Sequence, residues 1–379
     1  MRLWKFSLRF NILWEANGEG GQTDGQGKNI LGKENMERVL VTGANGFIGS
    51  NVCAYFLERS YEVYGLVRET SDLHFLEGLP VKLIRGDLTR AASISFPSGL
   101  DFIIHAASLV SDTLPRDVIE RNIFDTTRNL IEAVEERGIR LKRFVHISTS
   151  LVLGYKALNI SEERPGRSAR HLAYTRAKEM TEAFLFAHHR KTGFPVVILR
   201  PADVFGPNDR TSSLRVLDAI ERGWPAIAGS GNRIFGYCYV ANLASVCHLV
   251  CQMRGTDGSA YTVTNGQDVT WREFLGMFQV ALDKKQRIYV PVVFAYALAL
   301  CMQLLHAVIP SFDALLTYYR ISRVANNSSY DITRTINELG YQPDHDIEAQ
   351  TRSIVAWYLR EKASGYVDAV LRVKRRIGR

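Results

Sequence analysis

The chain has 379 residues, 46% apolar and 23% charged, which is ordinary for a soluble globular protein and long enough for a large α/β domain plus a smaller lobe. Its net charge of +8 sits partly at the two ends, in MRLWKFSLRF and LRVKRRIGR, while acidic residues are interspersed through the body, so a nucleic-acid partner is excluded. Five cysteines (Cys53, Cys238, Cys247, Cys251, Cys301) form neither a CxxC pair nor a zinc spacing, which points to a reducing, cytoplasmic compartment without a metal site.

Residues 1–35 include NGEGGQTDGQGKN, lack apolar periodicity and read as a disordered leader. MRLWKFSLRFNILW has no continuous apolar core of signal-peptide type. Structure is expected to begin at Met36. RVLVTG is a short apolar run ending in glycine, read as a buried parallel strand, and FIGSNVCAYFLERS has helical periodicity. EVYGLV, VKLIRGDL and DFIIHAAS are the second to fourth strands. A long helix is predicted over 117–138, closed by Gly138. RFVHIST is the fifth strand, AYTRAKEMTEAFLFAHHR a helix and PVVILRP the sixth strand. This alternation predicts an α/β doubly wound parallel sheet, a Rossmann domain over 36–207.

After Pro207 the pattern is less regular. A helix near 213–222, a strand around GYCYV, a helix at 241–253 and the strand SAYTVTNG read as a C-terminal substrate-binding lobe, over 208–362, with interleaved returns to the sheet. Such a lobe packs over the carboxyl ends of the strands, where open α/β folds bind ligands. Residues 363–379 read as a basic tail. Residues 288–312 contain no Asp, Glu, Lys or Arg. A membrane span needs ~20 apolar residues. Gln303, His306 and the bracketing Pro291 and Pro310 favour buried or substrate-covering helices, with a helix lying on a membrane surface as the rival.

VLVTGANGFIGS places Gly43, Gly46 and Gly49 between the first strand and the first helix. The first glycine lets the chain turn sharply, the second admits a pyrophosphate close to the backbone, and the third packs helix on strand. Asn45, Phe47 and Ile48 complete this predicted cofactor turn. The second strand ends at Val67, where an NAD-type fold would offer a ribose-binding acid, and Arg68 follows. That favours NADP(H), with NAD(H) as the alternative. Asp87, in RGDLT, reads as an acceptor for the adenine amino group and as a helix cap at once. LAYTRAK sets Tyr174 and Lys178 one helical turn apart, which alone would be surface decoration.

TGANGFIG, GDL, HAAS, HISTSLVLG, YTRAK and RPADVFGPND occur in that order. The set resembles the extended short-chain dehydrogenase/reductases: sugar-nucleotide epimerases and dehydratases, dihydroflavonol-type reductases and 3β-hydroxysteroid dehydrogenases. The resemblance runs from about residue 37 to about 360. It implies that Tyr174 is the general acid/base, that Lys178 lowers its pKa from the ordinary ~10 and hydrogen-bonds the nicotinamide ribose, and that Thr149, flanked by Ser148 and Ser150, orients the substrate oxygen. It also implies Leu88, Ala106, Ala107 and Pro201 around the cofactor, and a hydride supplied by that cofactor without a metal.

Two positions depart from the commonest family pattern. RNIFDTTRNL has Thr126-Thr127 where the family has Gly-Thr, and Asn122 falls one position out of register, which reads as a helix-surface asparagine. Asn242 stands where many sugar-nucleotide members have aspartate; the steroid-dehydrogenase branch commonly has asparagine there and shares the apolar 288–312 region. The resemblance therefore implies an NAD(P)-dependent oxidoreductase interconverting a secondary alcohol and ketone on a hydrophobic small molecule, sterol-like or long-chain. The alternative is a sugar-nucleotide epimerase or dehydratase with tightly bound NAD, which would need cations such as Arg210, Arg215 or Arg233 for the substrate diphosphate. A non-catalytic role would suit a broken Tyr–Lys pair, and both residues are intact. Peripheral membrane contact and a homodimer formed through a helix bundle are further implications.

Overall fold

The computed structural model describes residues 36–111, 114–223, 227–284, 289–309, 312 and 316–377. The leader read over 1–35 lies outside the described residues. Apolar runs without polar alternation form six largely covered strands, and KLIR forms a seventh that is mostly exposed at the sheet edge. They are β1 (Arg38–Thr42), β2 (Glu62–Val67), β3 (Lys82–Arg85), β4 (Phe102–His105), β5 (Arg143–Ile147), β6 (Val196–Pro201) and β7 (Ser259–Val263). They form one seven-stranded sheet in the order β7-β6-β5-β4-β1-β2-β3, with every pair parallel. The order reverses between β1 and β4, and the crevice at that switch point is where such sheets take ligands.

Alternate residues of each strand serve opposite cores. Val39, Val41, Val145, Val197 and Leu199 pack with Val52 and Phe56 of α1 (Phe47–Leu57). Leu40, Ile103, Phe144, Val196 and Ile198 face the other way. The helix predicted over 117–138 is broken into α2 (Arg116–Glu120), a π turn (Arg121–Asp125) and α3 (Thr126–Glu136). Leu130, Ile131 and Val134 of α3 join Leu185 of α4 (Ala173–Thr192) on that second face. Gly193, at φ 73°, ends α4 in the left-handed conformation that favours glycine.

The lobe is built on α5 (Ser212–Glu221), α7 (Trp271–Ala281) and α11 (Ile347–Ala363), which share a core of Leu214, Leu217, Phe274, Phe278, Trp357 and Tyr358. Two elements after Pro207 pack with the Rossmann layers. SAYTV is β7, paired with β6, and α6 (Val240–Gln252) packs Leu243, Cys247 and Val250 into the core that holds α1. Asn242 of α6 is buried: it donates to Asn265 Oδ1 (2.9 Å) and the Asp344 carbonyl (3.0 Å) and accepts from the Asp344 N–H (3.0 Å). It therefore ties α6 to the segment leading into α11.

The uncharged stretch forms α8 (Val292–Val308); only Ala295 and Ala299 of that helix are buried, and Val293 and Val308 are 77% and 79% exposed. Phe294, Leu298, Leu300, Leu304 and Leu305 are exposed as well. The helix rests on the protein by its alanines and by Tyr296, whose ring lies 5.0 Å from that of Tyr318 of α9 (Tyr318–Ala325), tilted by 36°. No described helix is long and apolar enough to cross a membrane. After α10 (Thr333–Leu339) and α11, the residues read as a basic tail begin with α12 (Tyr366–Ile377). Val367 is buried in the lobe core, and Tyr366 stacks on His74 with ring centroids 3.9 Å apart.

Candidate functional site

The glycine turn lies at the carboxyl end of β1. Gly43 has φ +65°, and a Cβ there would lie 2.9 Å from Ala107 Cα, so the turn and the end of β4 touch through backbone alone. A Cβ on Gly49 would overlap the Gly43 carbonyl. The Gly46 N–H donates to Gly43 O at 2.9 Å, and α1 starts at Phe47 with its positive end toward the crevice. A cavity of about 1690 Å³ opens there, larger than the 300–1,000 Å³ typical of a single small-molecule pocket.

The catalytic and cofactor-turn residues expected from the sequence line one cavity. The turn contributes Gly43, Asn45, Gly46, Phe47, Ile48 and Gly49; the ends of β2, β3, β4 and β6 contribute Arg68, Asp87, Leu88, Ala106, Ala107 and Pro201; the far side carries Thr149, Tyr174 and Lys178. The Ser108 hydroxyl is buried beside Ala107 without a hydrogen-bond partner, a polar atom suited to a ligand. Close backbone approach, a helix N-terminus and an orphaned hydroxyl in a cavity of this size fit a dinucleotide.

Arg68 follows the buried Val67, and its backbone is fixed by Ser71 Oγ (3.0 Å to the N–H) and by Arg85, which donates to its carbonyl at 3.1 Å. Asp87 Oδ1 accepts from the Thr89 N–H and hydroxyl, both at 2.9 Å. These bonds hold the Asp87 carboxyl below its usual pKa and make it the cap of the turn that follows.

Helix α4 carries Tyr174 in its first turn and Lys178 in its second. Lys178 is 1% exposed, and its Nζ donates to the Ile147 carbonyl at 2.6 Å, 6.0 Å from the Tyr174 ring centre. Burial pulls its pKa down to about 7, with the Glu182 carboxylate opposing. Three hydroxyls follow β5, and the structure separates them. Ser148 donates to Glu182 Oε1 at 2.5 Å, and Ser150 is buried outside the cavity lining. Thr149 caps the next turn, accepting from the Leu151 N–H at 3.3 Å, and its hydroxyl lies beside the Tyr174 phenol.

Burial pushes the Tyr174 phenol above its ordinary pKa, and the group that draws it back is Thr149. The Lys178 ammonium is bonded to Ile147 O, and burial opposes its charge.

Asn122 is the residue the sequence reading set aside. It lies in the π turn, donates to the Val118 carbonyl at 2.8 Å and lines the cavity. A π turn closes i→i+5 and takes up one extra residue, so the register offset from Thr126-Thr127 is absorbed and Asn122 comes round to the cavity wall. The only signal was that one-residue offset itself.

The family model described as the NAD dependent epimerase/dehydratase family matches residues 39–264. A 3-beta-hydroxysteroid dehydrogenase of Mycolicibacterium neoaurum is 26% identical over 344 residues, covering 86% of this chain and 92% of that protein. A 4-hydroxy-2-methyl-3-oxo-4-farnesyl-3,4-dihydroquinoline-1-oxide ketoreductase of Stigmatella aurantiaca is 29% identical over 242 residues, 63% of this chain and 71% of that protein. The solved UDP-N-acetylglucosamine 4-epimerase of Methanobrevibacter ruminantium shares the fold at a TM-score of 0.69 and 21% identity, covering 86% of this chain and 99% of that one. With the family model matched over more than half of its length and the glycine turn opening the cavity, this chain belongs to the NAD-dependent epimerase/dehydratase family, within the extended short-chain dehydrogenase/reductases.

Proposed function

We propose that this chain is an NAD(P)-dependent oxidoreductase that interconverts a secondary alcohol and a ketone on a hydrophobic substrate, sterol-like or long-chain. The observation that carries the reading is one cavity running from the glycine turn to the Thr149–Tyr174 pair and on to an apolar wall of Leu298 and Met302 on α8 and Leu316 before α9. Relatives named for a hydroxysteroid and for a farnesyl-bearing substrate favour a hydrophobic molecule there.

The bound nicotinamide supplies or accepts the hydride. Tyr174 gives its proton to the substrate oxygen in reduction and takes it back in oxidation. Thr149, beside the same phenol, holds that oxygen within reach. Lys178 presents its ammonium beside them, and Asn122 completes the wall. Arg68, with no acid at Val67, favours a 2′-phosphate and hence NADP(H).

The sugar-nucleotide alternative needs free cations at the substrate end. Arg210 is bonded to Asp72 Oδ2 (3.1 Å), the Tyr366 hydroxyl (3.1 Å) and Asn45 O (3.3 Å), Arg215 lines the cavity, and Arg233 is outside its lining. The exposed apolar face of α8, continuous with the cavity at Leu298, supports peripheral contact with a bilayer, from which a hydrophobic substrate would be drawn.

Incubation of the purified protein with NADPH or NADH and a panel of hydrophobic ketones, then with UDP- and GDP-sugars, tests the reading. Net NADPH oxidation on a hydrophobic ketone is expected. Stoichiometric NAD that survives purification, with sugar interconversion and no net cofactor consumption, would overturn it.

A further inference from the structure

Beneath the Tyr174–Lys178 face lies a buried charge cluster that the chemistry above does not use. Glu182 is one turn beyond Lys178 on α4 and 5% exposed; Arg200, on β6, is 7% exposed. Arg200 donates to Glu182 through Nε (3.1 Å to each oxygen) and Nη2 (2.6 Å to Oε2), and its Nη1 pairs with Glu162. Two carboxylates against one guanidinium leave the cluster with one net negative charge. Glu182 Oε1 also takes the Ser148 hydroxyl at 2.5 Å, and the Ser148 N–H donates to Leu199 O at 2.7 Å, on the strand that carries Arg200.

Two functional groups hang on that carboxylate. Ser148 joins Ile147, whose carbonyl receives Lys178, to Thr149, which meets the Tyr174 phenol. Fixing Ser148 therefore fixes both. A lysine as buried as Lys178 loses its charge unless a negative group opposes the burial.

The titratable groups that face Lys178 are Tyr174 and Glu182 on α4, His105 on β4 and His146 on β5. Both imidazoles are held neutral by burial, and Tyr174 by the same cause, so they offer Lys178 no negative charge.

We propose that Glu182, gripped by Arg200 and Ser148, is a positioning residue that keeps Lys178 charged and holds the Ile147–Thr149 segment in register with Tyr174. The proposal rests on the assignment of Lys178 to the reaction. Glu182 touches neither substrate nor cofactor; it acts through Lys178 and Ser148. A residue with a merely structural part would lower the rate equally at all pH values. Glu182 instead sets the pH at which Lys178 loses its proton.

The test is the titration of Lys178 in the full chain carrying 13C-labelled lysine, its resonance identified with Lys178→Met, alongside the pH profile of kcat/KM. The NMR arm needs no substrate, so failure of the alcohol–ketone reading leaves it standing. Glu182→Gln is expected to move the Lys178 titration, and the alkaline limb of kcat/KM, to lower pH by about one unit. Glu182→Asp is expected to restore most of the shift, and Ser148→Ala to lower kcat without moving either. Should Glu182→Gln fail to fold, Glu162→Gln, at the half-exposed end of the cluster, is expected to give a smaller shift in the same direction. A Lys178 titration unmoved in the folded variants, or a rate loss equal at every pH, would overturn the proposal.

Discussion

The hydroxyls of Thr149 and Tyr174 lie side by side between the end of β5 and the first turn of α4. Ser148, before Thr149, is committed to Glu182, and Ser150, after it, is outside the cavity lining. Thr149→Ala is therefore expected to lower kcat by about 10²-fold, the scale of losing one oriented donor at a reacting oxygen. Thr149→Ser should keep most of the rate. Steady-state kinetics on the three proteins checks this; an equal loss in Thr149→Ser would mean that packing of the threonine methyl, not its hydroxyl, matters.

Cofactor preference turns on Arg68. Replacing it with alanine is expected to raise KM for NADPH about tenfold and to leave KM for NADH nearly unchanged, because only the 2′-phosphate requires the guanidinium. Parallel changes in both values would place Arg68 against the adenine instead.

Helix α8 predicts bilayer binding. Phe294 and Leu304 are exposed and lie outside the cavity lining. Each withdraws about 1.5–3 kcal/mol of apolar surface from water on insertion. The double substitution Phe294→Glu, Leu304→Glu should abolish co-flotation with liposomes while a small water-soluble ketone is still turned over. Equal flotation of both proteins contradicts the membrane contact.

Acid should unfold the protein through its buried imidazoles. Burial holds His105 at about 3 and His146 well below the ordinary 6.5, and both ring nitrogens of His146 lack partners. A folded pKa below the unfolded one gives stability that is complete above about 6.5 and is lost as pH falls toward the folded value, by up to about 1.4 kcal/mol per pH unit for each group. Melting temperature is expected to drop between pH 7 and 5, and His146→Leu to flatten that slope. An unchanged slope would locate the acid sensitivity elsewhere.

The sheet was legible because Val39 to Val41, Phe102 to Ile104 and Val196 to Leu199 are uninterrupted apolar runs, and each glycine of the turn answers to one steric demand. Less local properties were not. SAYTV has the same pattern whether it pairs with β6 or with a lobe strand, so its place in the sheet depends on a contact distant in sequence. The apolar periodicity of 117–138 is compatible with a straight helix, and a π turn leaves no compositional mark; Asn122 was misplaced for that reason. In α8, apolar residues all round the helix suit burial, a cover over the cavity and an open face alike, so composition alone does not choose among them. Among Ser148, Thr149 and Ser150, the Ser148–Glu182 bond and the place of Ser150 outside the cavity lining single out Thr149.

The central claim is that Tyr174 moves the proton. NADPH oxidation on the best hydrophobic ketone by the parent protein and by Tyr174→Phe, with NADPH affinity measured on both, tests it most directly. The account predicts a loss of turnover of about 10²–10⁴-fold with cofactor affinity retained. Unchanged turnover in Tyr174→Phe would contradict it.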